Sequence, residues 1–342
     1  MSTTVAPPAD DAAQPAPAPP PPPPERRLRG GWRIVAAKEL ADHVRSARFV
    51  ILVVLLTVAG VASVHSASTP IHSAAETATQ TPSIFLYLFT LSPERVPAFH
   101  EFLGILGPLL GIAFGFDAVS GERSQRTLPR LVSQPIHRDE IINGKFVAGI
   151  GAIALVLACL FAGMCGYGAI ILGTAPSGSE IVRMLAFYVI AVVYISLWLA
   201  LSLLLSVVCR RAATAALAAI AIWLLMTLFA GLIAGVVADS VRSVKDSTNT
   251  EQVLANARLE LNIRRLSPDQ LYKDATGVVL NPSRQSAGIV VVDADDTTSL
   301  PSSLPLGQSL LLAWWQLVVL VAVTLVIFGA AYVAFMRQEV RA

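Results

Sequence analysis

The stretch from Arg183 to Ala238 decides the fold class: RMLAFYVIAVVYISLWLALSLLLSVV, then CRR, then AATAALAAIAIWLLMTLFAGLIAGVVA. Its two halves, 183–208 and 212–238, are essentially free of charge and meet at the turn Cys209-Arg210-Arg211. Each half exceeds the ~20 residues that a helix rising ~1.5 Å per residue needs to cross ~30 Å of hydrocarbon. Two such helices joined by an arginine pair read as a spanning hairpin whose bend faces the cytoplasm, because short loops rich in Lys and Arg stay on that side.

Four more runs of the same kind lie at about 49–66, 99–118, 146–172 and 309–335. The first is the shortest, and Arg48 at its start can snorkel to the interface. Of the 342 residues 54% are hydrophobic and 14% charged, with mean hydropathy +0.64, whereas soluble proteins carry about a quarter charged residues. A net charge of +2 excludes the broad basic excess of a nucleic-acid binder. The expected fold is an all-α polytopic membrane protein with six transmembrane helices, in the cytoplasmic membrane.

The clustering of Lys and Arg sets the orientation. Arg26, Arg27, Arg29, Arg33, Lys38, Arg45 and Arg48 precede the first run, and Arg337 and Arg341 follow the last, so both termini are expected to be cytoplasmic. The segment from Asp117 to Lys145, with Arg123, Arg126, Arg130 and Arg138, belongs inside as well. A first loop of about thirty residues, the turn around 174–179 and a long segment, 239–308, then fall outside. In that long segment 250–266 reads as a helix and 288–293 as a short strand, together a small external subdomain.

Residues 1–29 are a Pro- and Ala-rich tail, expected to be disordered or polyproline II, and they carry no signal-peptide pattern. Residues 30–48 read as an amphipathic interfacial helix. Trp32, Val35, Ala36, Leu40, Val44 and Ala47 recur at helical spacing, and Arg33, Lys38, Asp42, Arg45 and Arg48 take the other faces beside Glu39. Such a helix sets its cations against lipid phosphates and its Trp32 into the acyl boundary. The remaining residues, 49–342, form the six-helix domain.

Catalytic and metal-binding patterns are missing from the sequence. There is no HExxH, no GxSxG and no GxxxxGK[ST] phosphate loop. The segment Ile289-Val290-Val291-Val292-Asp293 resembles a Mg²⁺-holding strand but has no phosphate loop to work with. Cys159, Cys165 and Cys209 form no CxxC and read as small packing residues, and His65 and His72 lack further ligands nearby. The runs also carry no Asp or Glu of the kind an ion-coupled carrier commits to its interior, the nearest being Asp117 and Glu122 at the mouth of the second run. Energy is therefore expected from outside the chain. Gly107, Gly111 and Gly115, and Gly231 with Gly235, mark faces where helices approach closely, within the subunit or across a dimer.

The most informative segment is the second-to-third loop, FDAVSGERSQRTLPRLVSQPIHR (116–138), running on to Gly144-Lys145-Phe146. Leu128, Leu131, Val132 and Ile136 would fit a groove on a partner, and Pro129 and Pro135 divide the loop into short rigid pieces. A solvated or lipid-phosphate-binding face is the other reading of Glu122, Arg123, Arg126, Arg138 and Lys145. This loop resembles that of ABC-2 type permeases, especially those similar to the gliding-motility and nitrous-oxide-reductase-maturation permeases. Their pattern runs E-R-x-x-G-T-L-x-x-L-L-S-x-P-[IV]-x-R and then G-K. Glu122, Arg123, Thr127, Leu128, Leu131, Ser133, Pro135, Ile136, Arg138, Gly144 and Lys145 match, while Arg126 replaces the glycine and Val132 the second leucine. Lys38-Glu39-Leu40 and Leu266-Ser267-Pro268 are similar to the family too.

The resemblance implies an exporter half that dimerises with a second or homologous permease copy and docks a separate ATPase subunit. The interfacial helix and the loop would be the coupling elements. ATP and Mg²⁺ would sit on the partner, and this chain would bind no cofactor and be no enzyme. A membrane scaffold that moves nothing, and an ion-coupled carrier, are the other functions weighed.

Overall fold

The computed structural model describes residues 30–75, 83–92, 96–125, 137–242, 250–283 and 304–338, and every regular element among them is helical. The expected tail and the 288–293 strand lie outside the described residues. Six stretches are long and apolar enough to cross a membrane: Ala47–Ile71, Phe99–Ser124, Arg138–Leu172, Gly178–Val208, Ala212–Val241 and Leu306–Arg337. Six spans were expected, and each of these stretches overruns its expected run at one end or both.

A short helix α1 (Gly31–Arg45) leads, after a break at Ser46, into α2 (Ala47–Ala75), the first span. The loop beyond it carries α3 (Ile84–Thr90), whose Phe85, Leu86, Leu88 and Phe89 are buried against the bundle. Next come the second span α4 (Phe99–Gly115) and the one-turn α5 (Ser120–Ser124). The third span α6 (Arg138–Leu172) begins well before the expected 146. Its charged start, Asp139 and Glu140, suits a helix N-terminus, because carboxylates there meet the orphan N–H groups and the positive end of the dipole.

The bundle is organised around the fourth span, α7 (Gly178–Val208), the most deeply buried of the six. Helix α4 lies against it along the glycine ladder. A Cβ on Gly107 would stand 2.8 Å from Ile195 Cδ1, one on Gly111 2.5 Å from the Ile195 carbonyl, and one on Gly115 would collide with Ser202 Oγ. The three glycines therefore let two backbones approach closely, which is how spanning helices associate where no hydrophobic force separates protein from lipid. At the end of the bundle where α4 begins, Phe89, Phe99, Phe161 and Phe187 interlock, with three of their contacts edge-on or nearly so at 5.3–6.2 Å.

The fifth span is α8 (Ala212–Leu224), a π turn (Leu225–Phe229) and α9 (Ala230–Val241). Only 6% of its apolar window is buried, against 67% for α7, so this span stands at the flank of the bundle. The expected packing face at Gly231 and Gly235 meets no other spanning helix here. A Cβ on Gly231 would meet Arg264, and one on Gly235 would meet nothing.

The described residues of the long segment after the fifth span, expected as a small external subdomain, pack against the helices of the bundle. Helix α10 (Thr250–Arg264) runs back along α9, with Asn256 donating to Asp239 Oδ1 at 2.9 Å and Arg264 reaching Gly231. The corner Leu266-Ser267-Pro268 thus arrives beside the middle of the fifth span, where Ser267 Oγ donates to the Met226 carbonyl of the π turn at 2.8 Å. Helix α11 (Pro268–Leu280) then wedges between α4, α7 and the last span, α12 (Leu306–Arg337). Tyr272 stacks on Tyr194 at 4.4 Å and donates to the His100 carbonyl at 3.0 Å. The hairpin folds into the bundle because Leu271, Tyr272, Ala275, Val278 and Val279 bury their side chains there.

Candidate functional site

Glycine and lysine of the Gly144-Lys145 pair do different work at one junction. Gly144 sits where α1 crosses α6, and a Cβ there would stand 2.7 Å from Val35 Cβ and 2.8 Å from the Trp32 carbonyl. With no side chain in the way, α1 lies directly on α6, from Gly30 and Gly31 at Glu140 to Leu40 beside Gly151. Helix α1 is therefore docked along the start of the third span, with Trp32, Ile34 and Val44 left exposed. Lys145, one residue on, extends its ammonium between two carboxylates: Glu122 Oε1 at 2.7 Å on α5 and Glu39 Oε1 at 3.0 Å on α1. Its side chain is 3% exposed. One cation thus ties α1, the root of the loop and the third span together.

Glu140 serves both N-termini at this junction. Its Oε1 accepts from the Gly30 and Gly31 amides at 3.0 and 3.1 Å, while Oε2 accepts from the His137 amide at 3.3 Å. Gly30 has φ of 97°, a left-handed geometry that glycine adopts without a Cβ penalty. His137 followed three residues later by Glu140 is a capping-box spacing, a signal the sequence carried but that went unread.

Around the tie lies a polar cleft of about 300 Å³, lined among others by Lys38, Asp42, His43, Arg48, Asp117 and Gln125. Lys38 bridges to Glu39 at 3.5 Å and Asp42 at 3.2 Å, and Arg48 pairs with Asp117 at 2.6 Å. Burial against the Phe114 ring, 4.8 Å away, holds the His43 pKa below the usual imidazole range; Glu39 and Asp117 pull it up, and Lys145 and Arg48 push it down further. Arg45 ends α1, where its charge suits the negative end of the helix.

Arg123 and Arg138 converge on a second knot. Arg123 donates to Gln338 Oε1 at 2.5 Å and to the Val207 and Cys209 carbonyls, and Arg138 donates to the Gln338 carbonyl at 3.2 Å. Ser206 Oγ accepts from the Val119 and Ser120 amides at 3.0 and 3.1 Å. Both ends of the loop are therefore anchored to the ends of α7 and α12. Arg126, Thr127, Leu128, Leu131, Pro135 and Ile136 lie outside the described residues.

The opposite end of the bundle holds charges that the expected uncharged runs did not foresee. Helix α7 starts at Gly178, so Arg183 lies inside it, buried, and donates to the Val279 carbonyl at 2.8 Å, to Ser309 Oγ at 3.1 Å and to the Leu304 carbonyl. Glu180 caps its own helix through Ser177 and accepts from the Phe85 amide at 3.0 Å. Asp269 pairs with Lys273 at 2.7 Å, and burial raises its pKa despite that partner. Among the described residues, no group of three His, Cys, Asp or Glu could hold a metal ion, and His65 Nδ1 lies 3.2 Å from the Tyr167 hydroxyl.

Comparison with known proteins adds two findings. The family profile described as "ABC-2 family transporter protein" matches residues 33–340, nearly everything after the tail. A curated relative, "Probable ABC transporter permease protein NosY" of Stutzerimonas stutzeri, is 31% identical over 87 residues, 22% of this chain and 32% of that protein. The match thus spans about a third of the relative's length.

Proposed function

Since the chain belongs to the ABC-2 transporter family, we propose that it is the membrane-spanning permease of an exporter in the cytoplasmic membrane, driven by a separate nucleotide-binding subunit. ATP and Mg²⁺ bind that partner, which grips the loop between the second and third spans, on the same side as both termini. The observation that carries this reading is the buried tie Glu39–Lys145–Glu122. A push on residues 126–136 enters at Glu122 and Arg123 on one side and Arg138 on the other. Those roots are fixed to α1, α6, α7 and α12, so the bundle moves with the loop. The fifth span, whose apolar flank is uncovered, is the side left for a second permease copy.

Leu128→Asp and Ile136→Asp test the docking. Each is expected to abolish co-purification with the ATPase while the permease still inserts. Full ATPase binding and transport by both variants would refute the assignment. A scaffold that moves nothing would bind the ATPase without stimulating it, so permease-dependent ATPase stimulation separates the two functions.

A further inference from the structure

Beside the α1–α6 junction an apolar cleft and an exposed cation stand together. The cleft, about 260 Å³, opens between α6 and α12 and is lined by Trp32, Asn143, Phe146, Val147 and Phe328. Phe146 and Phe328 stack between the two helices at 4.1 Å, while Val147 and Trp32 are exposed. The Arg33 guanidinium lies 6.0 Å from the centre of the Trp32 ring. Arg33 is exposed and forms no ion pair with any described residue.

The depth of this cleft fixes the solvent it meets. Phe146 follows the start of α6 at Arg138 by about two turns, and Phe328 precedes the end of α12 at Arg337 by a few turns. That is the zone where acyl chains give way to headgroups, and a tryptophan at the rim is the side chain that settles there. We propose that the cleft seats one acyl chain of an anionic phospholipid from the leaflet on the loop side, with Arg33 holding the lipid phosphate beside Trp32. The charges select the headgroup. Among the described residues no carboxylate lines the cleft to receive the ammonium of a zwitterionic lipid, and the cation at its rim has no protein anion of its own. The bound lipid would join the beginning of α1 to α12, both of which line the cleft, and so make the seating of α1 depend on membrane composition.

The test uses the full chain in phosphatidylcholine nanodiscs doped with a diazirine-acyl tracer, either phosphatidylglycerol or phosphatidylcholine, with adducts mapped after photolysis. The phosphatidylglycerol tracer is expected to concentrate on the peptides holding Phe146, Val147 and Phe328. Arg33→Gln, an exposed substitution that the fold tolerates, lowers that labelling about fivefold, towards the phosphatidylcholine level, as expected for one cation near an anionic surface. Val147→Trp fills the cleft and removes the adducts of both tracers. Labelling spread evenly over all lipid-facing helices, equal for both tracers and unmoved by Arg33→Gln, would mean annular lipid only and overturn the proposal. A disulfide-linked permease dimer formed by Val147→Cys in place of lipid adducts would overturn it too, in favour of a second copy.

Discussion

Replacing Lys145 with methionine keeps the apolar stem and removes only the ammonium. That ammonium lies 2.7 Å from Glu122 Oε1 and 3.0 Å from Glu39 Oε1. The Glu39 and Glu122 side chains are 14% and 19% exposed, so neither can turn fully into water. Removing one member of a buried pair costs about 3–5 kcal/mol, because the remaining charge stays uncompensated. Here two carboxylates remain, but both border the polar cleft and Lys38 still lies 3.5 Å from Glu39. The lower end of the range therefore applies, about 3 kcal/mol. The loss falls on the docking of α1, so amides of Gly31–Arg45 should exchange about a hundredfold faster in hydrogen-exchange mass spectrometry of the full chain in nanodiscs. Adding Glu39→Gln and Glu122→Gln to Lys145→Met leaves no buried charge and should restore most of that protection. A single variant that exchanges like the wild type, or a triple variant as unprotected as the single, would refute the reasoning.

Gly111→Ala forces a Cβ to 2.5 Å from the Ile195 carbonyl and 2.9 Å from the Leu199 amide, backbone atoms that cannot step aside, so it should cost at least ~1–3 kcal/mol in thermal unfolding. Gly235→Ala meets nothing and should be neutral, or gain up to ~1 kcal/mol from helix propensity, in the same assay. Arg183→Gln loses hold of the Val279 and Leu304 carbonyls and should raise proteolytic cleavage and exchange across Pro268–Leu280, leaving α1 unaffected. Burial lowers the folded His43 pKa below its ordinary value of 6.5, so the unfolded chain takes the proton first as pH falls. Stability should therefore drop as pH falls below 6.5 and level off below the folded pKa, and His43→Phe should flatten that part of a melting-temperature profile between about pH 7.5 and 5.5.

The spanning helices were legible because a bilayer imposes a length and a composition that leave few alternatives to 183–208 or 309–335. The glycine ladder at Gly107, Gly111 and Gly115 was legible for the same reason: small residues at every fourth position have one main use in lipid. Extents were harder. Arg138 to Lys145 looked like loop because of its charges, yet those charges are consumed by capping and by the buried tie. The packing of Pro268–Leu280 on the bundle was not legible, because its polar residues, Asp269, Lys273 and Asp274, hide that they lie on a helix whose other positions are buried against Tyr194 and α12. Arg183 was missed because a helix start was set at the charge itself, whereas Ser177 and Glu180 begin it earlier. The roles of Glu39, Glu122 and Lys145 depend on residues distant in the chain, and no local pattern could have joined them.

Whether a push on the 126–136 loop reaches α1 and α6 through Lys145 is tested most directly by ATPase stimulation in proteoliposomes holding the permease and its nucleotide-binding partner. The variant to use is the Lys145→Met, Glu39→Gln, Glu122→Gln triple, which keeps the fold while lacking the ionic tie. It should still co-purify with the ATPase, since residues 126–136 are untouched, yet stimulate it no more than empty liposomes do. Stimulation equal to the wild type in that stable variant would contradict coupling through Lys145.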